Sequence, residues 1–177
     1  MILTGREIAA ARTDGRVTIE PFDADCCSPN AYDFHLDPRL RIIRGTLDSA
    51  RPTRYREVEI GEHGYVLKPG RLYLGLTREL TGSACYAQLI HGDHSLGSLG
   101  VWVHVSAPLG HQGHAIRWTL EIRASRRVRI HRLMTFGKIV FLDTEGNAWN
   151  YTVGDPKYAA DRIETSRLHE EAGTWRG

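Results

Sequence analysis

The sequence predicts a mainly β protein of one domain, in which short antiparallel strands form a sandwich or barrel behind a short N-terminal helix. Three observations predict this class. Short apolar segments recur along the chain, turn residues separate them, and only the first fifteen residues favour a helix. The chain has 177 residues, which is enough for one domain with a full hydrophobic core.

The N-terminal helix is predicted from a capping box. Thr4 and Glu7 stand three residues apart, the spacing at which each side chain can bond the backbone N–H of the other residue. The run from Ile8 to Ala11 favours the helical conformation. Gly15 predicts the end of the helix, because glycine readily adopts the left-handed conformation found just after helices.

The strands are predicted from Arg16 onwards. Ten segments alternate or run apolar in the way that strands do: 16–21, 32–36, 40–43, 65–67, 72–76, 86–90, 101–105, 116–122, 128–130 and 136–142. Residues 45–57 are polar and include Pro52, which predicts a loop, and the strand at 86–90 leads into the glycine-rich segment Gly92–Gly100. The polar tail, about residues 155–177, is predicted to be a mobile arm or a closing lid.

Composition narrows the classes of partner and compartment. The chain has 23 basic and 21 acidic side chains, so its charge predicts neither a nucleic-acid partner nor a membrane partner. Three cysteines, two of them adjacent, form no disulfide framework and no Cys-x-x-Cys motif. The first residues lack the layout of a signal peptide, and no apolar run reaches the roughly 20 residues that span a bilayer. We therefore expect a cytoplasmic protein.

Four segments in collinear order carry a resemblance to a known family. They are Leu67-Lys68-Pro69-Gly70, Leu76-Thr77-Arg78-Glu79, the segment Gly92–Gly100, and Thr119-Leu120-Glu121. This order resembles the dCTP deaminase branch of the dUTPase-like family of trimeric β-proteins, over roughly residues 1–158. The resemblance implies a distorted jelly-roll-like barrel, a homotrimer with sites between subunits, and a pyrimidine nucleotide or nucleoside as ligand.

The segment Gly92–Gly100 corresponds to the family's phosphate loop, which reads Gly-Arg-Ser-Ser-x-x-Arg-x-Gly. In this chain Asp93, His94 and Ser98 stand where that loop has an arginine, a serine and a second arginine, and Ser95 is kept. The resemblance makes Asp93, Ser95 and Ser98 substrate-binding residues. A carboxylate repels phosphate, so weak triphosphate binding is expected unless a metal ion such as Mg²⁺ bridges the two.

The resemblance also assigns catalytic roles. It makes Glu121 the general base, gives the Ala107 carbonyl the task of orienting the attacking water, and places His94 as a polar partner. His94 could equally fill space in an altered site. The family's Arg-x-Asp-Pro-Gly turn has become 109–113, where His111 is a candidate substrate contact. Tyr151 and Lys157 resemble the family's closing segment and are further candidates.

The chemistry expected of these residues is metal-independent deamination. Zinc deaminases carry His-x-Glu followed by Pro-Cys-x-x-Cys, and this sequence does not. A Glu whose pKa is raised can instead shuttle the proton. Five histidines lie between residues 91 and 114, and this spacing is only weakly diagnostic of a transition metal, so no metal ligands are predicted.

Three functions remain open at this stage. The first is a dCTP deaminase-like hydrolase whose substrate has fewer phosphates than dCTP or carries a modified group. The second is a dUTPase-like phosphohydrolase, in which Asp93 would serve the water and Mg²⁺ the phosphates. The third is a non-catalytic relative that binds a ligand or a protein.

Overall fold

The computed structural model describes residues 1–146 and 162–175, and most of its regular structure is antiparallel β-strand. Helices in this part of the chain are short: α1 (Gly5–Thr13), α2 (His94–Ser98) and α3 (Ala172–Trp175), with 3-10 turns at Ala24–Cys26 and Leu168–Glu171. The strands are β1 (Val17–Glu20), β2 (Cys27–Ser28), β3 (Ala31–His35), β4 (Arg39–Ile43), β5 (Tyr55–Glu59), β6 (Tyr65–Leu67), β7 (Tyr73–Leu76), β8 (Leu80–Ser83), β9 (Tyr86–Gly92), β10 (Val101–Trp102), β11 (Leu109–Gly110), β12 (His114–Ile116), β13 (Thr119–Ala124), β14 (Val128–Ile130) and β15 (Thr135–Asp143).

The predicted N-terminal helix is confirmed. The Thr4 side chain accepts a hydrogen bond from the Glu7 N–H at 3.4 Å, which satisfies one of the donors that a helix start leaves unpaired. Ile8 and Ala11 are buried, so one face of α1 packs on the body of the protein. The chain leaves the helix through Gly15, whose φ of 73° lies in the left-handed region.

Most of the strands contribute to one large hydrophobic core, and Leu74, Leu76 and Ile163 form a second, smaller cluster. Among the described residues, hydrogen bonding divides them into sheets of order β10-β13-β7-β4-β5, β11-β9-β15-β3-β2, β1-β8-β12 and β14-β6. Both five-stranded sheets supply fully buried side chains to the same cluster, including Phe34 and Phe141 from one and Tyr73 and Leu120 from the other. The mainly β class is therefore confirmed, with the two larger sheets packed through one core.

Four local predictions need correction. The strand predicted over 101–105 ends at Trp102. Residues 45–57 were expected to be a loop, but β5 begins at Tyr55 and pairs with β4; its side chains are mostly charged and exposed, which hides the alternation. The glycine-rich segment Gly92–Gly100 contains the short helix α2. The Asp93 side chain caps the N-terminus of this helix. The predicted strand over 116–122 is divided between β12 and β13, which pair with different sheets.

Strand β8 was not predicted, because Leu-Thr-Gly-Ser has no apolar alternation. It lies between β1 and β12, and Gly82 pairs with both Thr18 and Ala115. A Cβ on Gly82 would lie 2.4 Å from the Ala115 Cα, so only glycine allows β12 to approach this closely.

The segment from Val101 to Ile116 places the candidate site. It pairs in succession with β13, β9 and β8, and so visits three of the sheets. We refer to residues 101–116 as the arch. Side chains of the arch and of β13 form part of the lining of the pocket described next.

Candidate functional site

A pocket of about 620 Å³ opens beside the arch. Its walls are mostly apolar, with a small number of polar groups, which is the usual character of a small-molecule site. The apolar lining includes Ile43, Leu47, Leu72, Leu74, Leu109, Ile116, Trp118 and Leu168, and the polar lining includes Gln88, His104, His111, His114, Arg117, Thr119, Glu121 and Glu164.

Glu121 lies on the pocket wall because β13 alternates. Leu120 and Ile122 are fully buried in the core, so Glu121 projects from the opposite face of the strand and remains half-buried. Its carboxylate accepts a hydrogen bond from the Ser106 N–H at 2.8 Å and another from the Ser106 hydroxyl at 3.0 Å. These two donors fix the direction of the carboxylate while leaving it on the pocket surface.

Ala107 lies next to this pair and has an unusual backbone. Its φ is 23°, a positive value that residues with a Cβ rarely adopt. The Ala107 carbonyl lies 3.1 Å from the His104 Nε2, and both residues line the pocket with Glu121. The structure therefore brings together Glu121 and Ala107, the two residues predicted to handle the water. Backbone strain of this kind is often found at functional sites.

Trp118 forms the rigid part of the wall. Its N–H donates to the Thr77 hydroxyl at 2.9 Å, and its indole N–H donates to the Thr81 hydroxyl at 3.1 Å. The His104 ring meets the indole edge to face, with the ring centroids 6.4 Å apart. Buried bonds to two threonines hold the ring in one orientation, and His104 is aligned by packing on it.

Histidines and the C-terminal segment complete the pocket. His111, predicted to contact substrate, lines it together with His114, and burial lowers the pKa of His114, so that its imidazole is neutral near pH 7. Ile163 is buried, and the Glu164 N–H donates to the Thr119 hydroxyl at 2.9 Å. The described part of the predicted closing tail thus lies against the pocket; Tyr151 and Lys157 fall outside the described residues.

The residues of the predicted phosphate loop lie elsewhere. Asp93, His94, Ser95 and Ser98 belong to the start and body of α2, and none of them lines the pocket of the same chain. Asp93 accepts a hydrogen bond from the Ser95 N–H at 2.8 Å. That bond, and more weakly the charge of Lys138, lowers the pKa of Asp93, so a full negative charge is present at neutral pH.

The histidines between 91 and 114 divide into two groups. His91 and His94 are exposed, whereas His104, His111 and His114 line the pocket. Across residues 1–146 and 162–175, no three His, Cys, Asp or Glu side chains converge in a way that could hold a metal ion. No helix in the same ranges is both long and apolar enough to cross a membrane.

Several polar residues that line the pocket are not among the predicted site residues, and Gln88 is the one whose side chain is fully buried. Gln88 was included in an apolar strand, yet it lines the pocket with 1% of its surface exposed. A signal was present in the alternation, because Gln88 and Ile90 share the inward face of β9. A polar residue in an inward position is a candidate for a functional group.

Comparisons with known proteins agree on one family. A family model described as dCTP deaminase-like matches residues 2–144. Among curated proteins, a dCTP deaminase of Rhodopirellula baltica is 35% identical over 98% of this chain and 87% of its own length. A "dCTP deaminase, dUMP-forming" of Leptospira biflexa is 35% identical over 97% of this chain and 98% of its own.

A solved structure matches the fold. It is the 2′-deoxycytidine 5′-triphosphate deaminase of Agrobacterium tumefaciens, with a TM-score of 0.64 and 22% sequence identity. The match covers 79% of this chain and 47% of that protein, so the chain spans about half the length of its structural neighbour.

Proposed function

This chain belongs to the dCTP deaminase-like family, and from that membership we propose that it is a hydrolase that removes the 4-amino group of a cytosine nucleotide or nucleoside. The observation that carries the proposal is the position of Glu121. Its carboxylate is held by Ser106 on the wall of a pocket that also contains the Ala107 carbonyl and the Trp118 ring.

The reaction adds one water and releases one ammonia. Glu121 takes a proton from a water whose second hydrogen is held by the Ala107 carbonyl, and the hydroxide forms a bond to C4 of the base. The same carboxylic acid then delivers the proton to N3. Glu121 then takes the proton of the new C4 hydroxyl and passes it to the amino nitrogen. The C4–N4 bond breaks as the C4 carbonyl forms, which gives ammonia and the uracil product.

Water activation is assigned to Glu121 alone. The sequence lacks the histidine and cysteine pattern of zinc deaminases, whereas the two Ser106 donors hold the Glu121 carboxylate in a fixed direction. Any Mg²⁺ would be confined to the phosphates of the substrate. His104 acts through Ala107, because its ring nitrogen lies 3.1 Å from that carbonyl.

The charge of the α2 segment bears on the phosphorylation state of the substrate. Asp93 is ionised and already engaged as the cap of α2, and neither of the family's loop arginines has a counterpart here. A carboxylate at this position raises the free energy of a bound polyphosphate. The favoured substrate therefore has fewer phosphates than dCTP, or carries a modified group.

A product screen tests the activity and the phosphate preference together. The protein is incubated with deoxycytidine, dCMP, dCDP, dCTP, cytidine and dUTP, with and without Mg²⁺, and products are identified by mass spectrometry. We expect a gain of one mass unit, with kcat/KM falling by at least about tenfold from dCMP to dCTP, the ratio that 1.4 kcal/mol of repulsion produces. Turnover of dCTP as efficient as that of dCMP would contradict the phosphate preference.

A second function is favoured by the relatives' names. Several curated relatives are called dUMP-forming, among them the Leptospira biflexa protein that this chain matches over almost its full length. Formation of dUMP from dCTP requires loss of diphosphate as well as deamination. Release of diphosphate in the same screen would support this bifunctional reading, and bound nucleotides with no product at all would support a non-catalytic relative.

The assembly that suits this function is a homotrimer with sites between subunits. In one chain Glu121 lines the pocket while the α2 residues lie outside it. In a symmetric trimer all three interfaces are the same. Each pocket would then receive His94 and Ser95 from a neighbouring copy.

Mixing two inactive variants tests this arrangement. Glu121→Gln removes the base, and Ser95→Glu adds a second carboxylate to the α2 segment. If sites form between subunits, each site takes Glu121 from one subunit and Ser95 from its neighbour. In an equal mixture about a quarter of these sites receive both native residues, so reassembled mixtures should recover about a quarter of wild-type activity. Mixtures that remain inactive, although mass measurement shows mixed trimers, would place each complete site within a single chain.

A further inference from the structure

Gln88 has an environment that packing alone does not explain. It lies on β9, an interior strand of its sheet, with 1% of its surface exposed, and it lines the pocket. Its carboxamide oxygen is fully buried and accepts no hydrogen bond from the described residues. A buried acceptor without a partner is uncommon in folded proteins, because its lost hydration is not replaced.

The neighbours of Gln88 leave its amide beside the pocket interior. Gly110 pairs with it on β11, and a Cβ added to Gly110 would lie 2.6 Å from the Trp118 ring and 3.3 Å from the Gln88 Cβ. The absence of a side chain at position 110 therefore leaves room for the indole beside β11, next to the Cβ of Gln88. On the other side Gln88 pairs with Phe141, whose side chain belongs to the core and supplies no polar partner.

A leucine at position 88 would fill a similar volume without leaving an acceptor unsatisfied. The site therefore keeps a polar group at a cost to the stability of the ligand-free protein, and such groups are typical of specificity-determining positions in otherwise apolar pockets. The contrast with Gln112 is informative. Its amide nitrogen donates to the Cys85 carbonyl at 2.7 Å and to the Thr144 hydroxyl, so its role is structural.

We propose that Gln88 is a specificity-determining residue whose carboxamide oxygen accepts a hydrogen bond from an N–H or O–H donor of the bound pyrimidine nucleotide. The assignment rests on the proposed function for the identity of the ligand. Two groups of a cytosine deoxynucleotide supply such a donor: the 4-amino group of the base and the 3′-hydroxyl of the sugar. A site that hydrogen-bonds a donor rejects analogues lacking it, because the acceptor is then buried unpaired.

Calorimetry on a turnover-free background tests the assignment. Glu121→Gln is the parent, and the parent carrying Gln88→Leu is the variant. Both are titrated with dCMP, dUMP and 2′,3′-dideoxycytidine monophosphate, or with the triphosphates if the parent binds these more tightly. We expect Gln88→Leu to weaken dCMP binding by about tenfold or more, with an unchanged or higher Tm. Gln112→Leu, the matched control, should lower the Tm.

The three ligands separate the sources of the donor. A loss that disappears with dUMP identifies the 4-amino group, and a loss that disappears with the dideoxy nucleotide identifies the 3′-hydroxyl. Equal affinities of parent and variant, or an equal loss for all three ligands, would overturn the assignment. Failure of the parent to bind any pyrimidine nucleotide would instead reject the proposed function, a result distinct from failure at Gln88 alone.

Discussion

Glu121→Gln is expected to abolish deamination while leaving the fold intact. Proton transfer by a positioned side chain typically contributes about 10² to 10⁴ in rate, so kcat should fall by at least that range in the variant. Glutamine has the same shape, and its carbonyl oxygen can still accept the 2.8 Å hydrogen bond from the Ser106 N–H. It cannot take a proton from water, however, and so the loss should be confined to the chemical step.

The measurement is single-turnover conversion of the best substrate, followed by mass spectrometry, together with nucleotide binding by calorimetry. Glu59→Gln is the matched control, because Glu59 also lies on a strand but is exposed and does not line the pocket. The control should keep wild-type kcat. A Glu121→Gln variant with wild-type kcat would remove Glu121 from the mechanism and would favour a different base in the pocket.

Glu79→Ala should produce the largest loss of stability among single changes at acidic residues. Glu79 is 2% exposed, and its carboxylate accepts hydrogen bonds from the His35 N–H at 2.9 Å and the His35 Nδ1 at 2.7 Å. Removing the carboxylate leaves two donors of His35 without their partner and opens a cavity. The expected cost is about 3–5 kcal/mol in the free energy of unfolding.

The effect of Glu79→Ala should extend to the pocket. The Glu79 carbonyl accepts a hydrogen bond from the Thr77 hydroxyl, and that hydroxyl in turn receives the Trp118 N–H. Urea unfolding gives the stability, and tryptophan near-UV dichroism reports the setting of the indole. Glu59→Ala, an exposed change, should alter the free energy of unfolding by less than about 0.5 kcal/mol. If both variants unfold at the same urea concentration, the His35 contact has no net stabilising role.

Most of the fold could be predicted from the sequence, because its strands carry strong local signals. The capping residues of α1 and the alternation in β3, β4 and β15 each correspond to elements in the structure. Those signals fail where the environment is set by distant partners. Strand β8 is stabilised by pairing with a strand on each side, although its sequence contains a glycine and shows no alternation. Strand β5 is an exposed edge strand, and its charged side chains hide the alternation of apolar and polar residues.

The candidate site was predictable only in part. The resemblance pointed to Glu121 and Ala107, and the structure places both on one pocket wall. It could not point to Gln88, which is recognised by an unpaired oxygen in a buried position, a property of the assembled pocket. The role of Ser106 could likewise not be predicted from the sequence, because Ser106 lies 15 positions before Glu121 and only the fold brings the two residues together.

The cap of α2 also constrains how this protein can change over evolutionary time. Asp93 serves the local backbone, since its carboxylate satisfies the Ser95 N–H at the start of the helix. A mutation that introduced an arginine at position 93 would remove that cap, at a typical cost of about 1 kcal/mol, whether or not a phosphate is bound. An arginine and the present helix cap are therefore mutually exclusive at position 93. A chain that gained the arginine of the family's pattern would need a compensating change elsewhere, so the two substitutions are epistatically coupled.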